Sequence, residues 1–234
     1  MIYTIVSDTN TVQGAVLAAN LAASRAKEGR KVLLIEASLR MHLLLWTLRR
    51  YKREATLKLP VLPLIDGGLY EALQEYRCAY RDIVINVGAT NPSLLRTALI
   101  AAKVLIVPLE RQHLQLKNQD GLKKIAENVK LFNPLVQTHL LTTVDPGSMP
   151  VQDYAAAVAL AEKYPSCALF AHPLVGGTGA LQAFQHGLSV FEDGRCNEAD
   201  TRAMARLSRQ LSTCAGSGPS GCTLSGEKPH HVGR

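Results

Sequence analysis

Residues 7–38 read SDTNTVQGAVLAANLAASRAKEGRKVLLIEAS and follow the β-branched run IYTIV at 2–6. That run and KVLLI at 31–35 are strand-like, and 12–28 between them carries Ala and Leu at helical spacing. Gly29 stands where a glycine commonly ends a helix. Strand, helix and strand in succession form a βαβ unit and predict a parallel sheet. In such a unit the first turn can cradle phosphate with glycines and a lysine. Residues 7–13 here hold neither, and the first glycine is Gly14.

The alternation continues along the chain. Strands are predicted at 82–87 (DIVINV), 103–107 (KVLIV), 136–144 and 167–170, and helices at 67–77, 93–102, 111–131 and 149–164, with two more near 177–187 and 197–213. Pro108, Pro134, Pro146, Pro165 and Pro173 punctuate them. The pattern predicts one three-layer, doubly wound, mostly parallel α/β domain over residues 1–213. The tail over 214–234, rich in Gly, Ser and Pro with little to bury, is expected to be disordered.

At 234 residues and 47% hydrophobic the chain can bury a sizeable core. Glu36, Arg40, Lys103 and Glu110 interrupt every apolar run that approaches membrane length. The N-terminus lacks the pattern of a signal peptide, so the expected compartment is the cytoplasm. Cys78, Cys167, Cys196, Cys214 and Cys222 share no CxxC spacing and read as free thiols. An excess of 26 Lys+Arg over 19 Asp+Glu, net +7, permits a polyanionic partner without naming one.

Several landmarks occur in order at compatible spacings: NLAASRAKEGRKVLLIEA, YRDIVINVGAT, AAKVLIVPLE, TTVDP, QAFQHGLSVFE and the final ARLSRQL. Together they resemble the ParA/MinD family of deviant Walker ATPases, a P-loop NTPase-like fold, over roughly residues 1–213. The family includes plasmid and chromosome partition proteins and related positioning factors. Its loop, KGGxGK[ST][ST], falls on residues 9–16 when the chains are laid together through Asn20-Leu21-Ala22. The lysine that reaches the partner's nucleotide is then Thr9, the lysine on the β and γ phosphates is Gly14, and the magnesium-binding hydroxyl is Ala15. Loop glycines fall on Asn10, Thr11 and Gln13, with Val12 at the variable position. The family's DxD aspartates fall on Glu36 and Ser38, and its Walker B aspartate on Asn86. Pro173 and the glycines at 176–179 match the region near the nucleotide base.

Phosphoryl transfer rests on positioning and on cations that offset developing charge, so these replacements predict a degenerate loop and little hydrolysis. Each lost charged hydrogen bond is worth about 1.5–3 kcal/mol, enough together to weaken ATP binding by several factors of ten. No cofactor is expected, although the free N–H groups of a helix starting near Val12 can hold ATP or magnesium-bound phosphate weakly. The plainer reading of Thr9 to Gln13 is a βα turn with Asn10 or Thr11 capping the helix. For Glu36 it is a solvated strand terminus, and for Asn86 a polar strand end bonded to a neighbouring loop.

No residues stand at metal-finger spacing: Cys214, Cys222, His230 and His231 are too far apart in the tail. His42, His113, His139, His172 and His186 are scattered and read as surface or satisfied structural groups. Basic residues cluster in Arg49-Arg50-Tyr51-Lys52-Arg53, in Lys117, Lys123, Lys124 and Lys130, and in Arg202, Arg206 and Arg209 on one face of the last helix. Each is either a solvated face or a surface for DNA phosphates. The segment around 49–53 can also meet a protein or an anionic membrane, and Leu43, Leu44, Trp46 and Leu48 beside it can equally be core.

The resemblance implies a pseudo-ATPase in DNA partition, plasmid maintenance or conjugative transfer, cytoplasmic in a bacterium and nucleoid-associated. Its expected partners are non-specific DNA, a centromere-binding or active ParA-like protein, or a second copy. An active ATPase with a variant loop and a positioning adaptor for a secretion or pilus machine are the alternatives.

Overall fold

The computed structural model describes residues 1–7, 12–65, 67–110, 114, 119–142, 151–164, 167–171 and 178–214. Its strands are β1 (Ile2–Ser7), β2 (Val32–Ala37), β3 (Val61–Pro63), β4 (Asp82–Gly88), β5 (Val104–Leu109), β6 (Gln137–Thr142) and β7 (Cys167–Ala171). The helices are α1 (Gln13–Lys27), α2 (His42–Lys52), α3 (Leu69–Tyr76), α4 (Pro92–Ala101), α5 (Asp120–Phe132), α6 (Val151–Ala161), α7 (Thr178–Gln185) and α8 (Glu198–Cys214). The strands form one seven-stranded sheet in the order β3-β2-β4-β1-β5-β6-β7, parallel throughout.

Every residue of β2 and β5 is buried, as expected of strands covered on both faces. One core packs α3, α4, α5 and α6 on one side of the sheet, and the other packs α1, α2, α7 and α8 on the opposite side. Helix α1 is buried continuously from Gly14 to Arg25, because α7 and α8 close over its outer face. At its foot the Asp82 carboxylate pairs with the Arg25 and Arg30 guanidiniums and the chain's amino terminus. Burial pushes that carboxyl up, but the arginines outweigh it and hold it below the usual range.

Apart from the start of the helix expected over 111–131, the predicted strands and helices recur within a few residues of their expected ends among the described residues, and two elements are additional. The segment around 49–53 lies largely in α2, and residues 61–63 form an edge strand. Leu43 and Trp46 are core, whereas Leu48 is 57% exposed. The helix expected over 111–131 begins at Asp120 among the described residues. Thr9, Asn10, Thr11, Lys117, Pro173, His113, His172 and the predicted tail beyond Cys214 lie outside the described residues. Among the described residues no helix is long and apolar enough to cross a membrane.

Candidate functional site

The chain starts at the central β1, runs outward through β2 and β3, and returns through β4 to lie beside β1 again. Ligands of such sheets bind beyond the carboxyl ends of the strands where the order reverses. Here those ends carry Ser7, Glu36 and Asn86, with the N-terminus of α1 above them. Ile5, Asn86 and Glu36 stand in register across β1, β4 and β2.

Glu36 and Asn86 form a buried unit. The Asn86 Nδ2 amide donates to Glu36 Oε1 at 2.7 Å, and the Leu43 backbone N–H donates to Glu36 Oε2 at 2.7 Å. Leu43 is in the first turn of α2, whose preceding residue Met41 is left-handed and offers no side-chain cap. Glu36 therefore caps α2 from the neighbouring strand, satisfying an orphan helical N–H. Glu36 is fully buried and Asn86 only 4% exposed, which corrects the expectation of a solvated terminus at 36. Among the described residues Asn86 bonds to a strand side chain, that of Glu36, and not to a loop. Burial pushes the Glu36 carboxyl up to about 7, against the opposing pull of donors from Leu43, Asn86 and Ser38.

The start of α1 is pressed onto this unit. A Cβ added to Gly14 would lie 2.2 Å from Ser7 Oγ and 2.8 Å from Asn86 Oδ1. Position 14 thus has no room for a side chain unless both neighbours move. Ala15 is buried without a hydroxyl, and Val12 and Gln13 are half-buried. Ser7 Oγ and Gln13 Oε1 are buried with no hydrogen-bond partner among the described residues. The Ser38 hydroxyl accepts a long 3.4 Å bond from the Arg40 N–H, and its carbonyl accepts from the Met41 N–H at 3.1 Å. The structure thus brings Gly14, Ala15, Glu36 and Asn86 together. None of the four carries an amine or a hydroxyl, and the one carboxyl, Glu36, is buried against Leu43 and Asn86.

The basic residues divide between two layers. Lys123, Lys124 and Lys130 are exposed on α5, and Arg202, Arg206 and Arg209 are exposed on α8 across the sheet. Lys123 pairs with Asp120 at 3.2 Å and Arg202 with Glu198 at 3.7 Å, both at the surface. Arg50 departs from the basic run at 49–53. It is 5% exposed, donates to both Glu192 carboxylate oxygens at 2.8 and 2.9 Å, and lies 4.5 Å over the Trp46 ring. Its partner is 142 residues away, so no local pattern in the sequence could have marked it as structural.

No protein-family model matches the chain, and no curated protein sequence matches it. Solved structures do. A chain of the MinC:MinD cell division protein complex of Aquifex aeolicus superposes with a TM-score of 0.65 at 14% identity, over 91% of this chain and 96% of that one. A ParA family ATPase from Chlorobium tepidum gives 0.64 at 14% identity, over 89% and 97%. A protein assigned to plasmid partition in Borrelia burgdorferi, bound to AMPPNP, gives 0.64 at 12% identity, over 91% and 98%. The chain has the fold of the MinD and ParA type P-loop ATPases, at identities that speak for the architecture alone.

Proposed function

We propose that this chain is a ParA-like protein of DNA partition, plasmid maintenance or conjugative transfer that has lost ATP hydrolysis and acts by binding. The observation that carries the reading is the packing at Gly14, where Ser7 and Asn86 fill the space a phosphate-gripping side chain would leave from. Asn86 is neutral, and its amide is engaged by Glu36. No lysine stands among Gly14, Ala15, Glu36 and Asn86 to stabilise charge developing on a transferred phosphoryl group, and the one carboxyl among them, Glu36, is buried and bonded to Leu43 and Asn86. Weak nucleotide binding is compatible with this reading, because solved neighbours hold AMPPNP or an ATP analogue with magnesium.

DNA is the partner favoured by Arg202, Arg206 and Arg209, which present guanidiniums along one exposed face of α8. Phosphate contacts of this kind need no base readout. A centromere-binding protein, an active ParA-like relative or a second copy is the protein partner of the same reading, at the bacterial nucleoid. Any homodimer would rest on surface contacts and not on shared nucleotide.

ATP turnover of the full chain tests the first half, with no activity expected. Turnover abolished by Asn86→Ala would instead establish an active ATPase with a variant loop. Gel shifts at low and high salt test the second half, and absence of any shift would favour a positioning adaptor for a secretion or pilus machine.

A further inference from the structure

We propose that the outer face of α2 docks onto an anionic lipid bilayer. The helix has two apolar faces, and the fold uses one. On the inner side Leu43, Trp46 and Arg50 are buried. Trp46 stacks on Phe184 at 5.9 Å between ring centroids and donates from Nε1 to the Leu188 carbonyl at 3.1 Å. The α2 backbone lies so close to Gly187 that a Cβ there would sit 2.5 Å from the Arg50 nitrogen. This anchoring fixes the helix and turns its other side outward.

That side is apolar along its length. Leu45 is 47% exposed, Leu48 57% and Tyr51 87%, and Leu39 in the preceding turn is 59% exposed. Leu44, Leu48 and Tyr51 follow helical i, i+4 and i+3 steps, so the stripe is continuous. Arg40, Arg49, Lys52 and Arg53 are exposed beside it, none in an ion pair among the described residues. No acidic residue occurs from 39 to 53.

Charge and size select the occupant. A second copy meeting this face through a two-fold axis would bring the same cations together, which like-charge repulsion disfavours. Nucleic acid offers nothing for the exposed leucines. The patch consists of a single helix face and its flanking turns, well short of the roughly 20–30 residues per side of a stable protein interface. A leaflet of anionic lipid requires no matching shape. It accepts leucine and tyrosine side chains at the headgroup boundary and attracts the cations beside them.

The test is flotation of the full-length protein with vesicles of phosphatidylcholine and phosphatidylglycerol, against phosphatidylcholine alone. Flotation is expected only with the anionic vesicles. Leu45→Ser with Leu48→Ser, and separately Arg49→Gln with Lys52→Gln, should each weaken it by roughly tenfold or more, since all four side chains are exposed and their loss spares the core. The Arg202, Arg206 and Arg209 to Ala variant should float like wild type. The proposal is overturned by no flotation with anionic vesicles, or by flotation that survives both α2 variants. Flotation lost only in the α8 variant also overturns it. So does a dimer, or binding to a polyglutamate peptide, that depends on Leu45 and Leu48 in place of vesicle binding.

Discussion

At Gly14 opposing effects can be ranked. Replacing a helical glycine by alanine ordinarily gains up to about 1 kcal/mol. Here the new methyl would meet Ser7 Oγ at 2.2 Å and Asn86 Oδ1 at 2.8 Å, and Asn86 is held by Glu36. Overpacking of this kind costs about 1–3 kcal/mol, so Gly14→Ala should lower the urea midpoint. Ser7→Ala removes the nearest obstacle and a buried hydroxyl without a partner among the described residues. The double variant should therefore recover most of the loss, a coupling that separate effects would not show. A neutral Gly14→Ala would show that the contact yields freely. Glu36 adds a pH signature. Its folded value of about 7 lies above the unfolded carboxylate, so the folded state holds a proton that the unfolded state releases. Stability from this group is complete below about pH 4.3 and is lost as pH rises to about 7, on the order of 3 kcal/mol in all. Glu36→Gln should flatten that window in a difference curve from urea melts. The difference is needed because buried His139, pushed down to about 4 by desolvation, has the opposite sign: its stability is lost as pH falls from about 6.5 to 4.

Helix α2 shows what can be read locally and what cannot. The strands of the sheet interior were legible because burial on both faces writes continuous apolar runs, as in VLLIEA and VLIVPL. The positions of Glu36 and Asn86 near neighbouring strand ends, and of Gly14 in the first turn of the helix after β1, follow from the same alternation. Helix α2 has no acidic first turn and no capping side chain of its own, and its cap arrives from Glu36 on β2. Strand β3 has only three residues, ends in Pro63, and is held from β2 alone. Edge position makes that proline tolerable, but in sequence it reads as a break. The burial of Glu36 was illegible for a related reason, since its partners come from α2 and β4. The inner face of α2 is held by equally distant groups, which gives a sharp expectation. Arg50→Ala leaves the Glu192 carboxylate buried without its cation and should cost about 3–5 kcal/mol. Gly187→Ala combines a left-handed backbone, φ 78°, with a methyl against the α2 backbone, and should cost about 2–4 kcal/mol. Both are read by thermal or urea unfolding, and in the first case Arg50→Ala with Glu192→Ala should cost less than the sum of the single changes. Additive losses would mean that the pair contributes no coupling.

At the scale of the whole molecule the net charge of +7 is less informative than its division by the sheet. The lysines of α5 face outward from one helical layer and the arginines of α8 from the other. A straight duplex touches one layer at a time, so the two sets cannot combine into a single footprint. Each phosphate neutralised lowers the slope of log affinity against log salt by about 0.9, which makes the footprint countable. If α8 is the DNA face, replacing Arg202, Arg206 and Arg209 by Ala should make that slope shallower by roughly 2–3 and weaken binding about equally on unrelated sequences. Replacing Lys123, Lys124 and Lys130 should leave the slope near its wild-type value, and Lys123 is already partly engaged by Asp120. These side chains are exposed, so neither variant disturbs the core and unfolding curves should superpose on wild type. The reverse ranking would move the footprint to α5 and across the sheet from α1. Equal losses would mean that DNA bends around an edge of the domain or that copies of the chain bind it from both sides. An unchanged slope in both variants would remove DNA phosphate from either face, leaving the partner to be sought at α2.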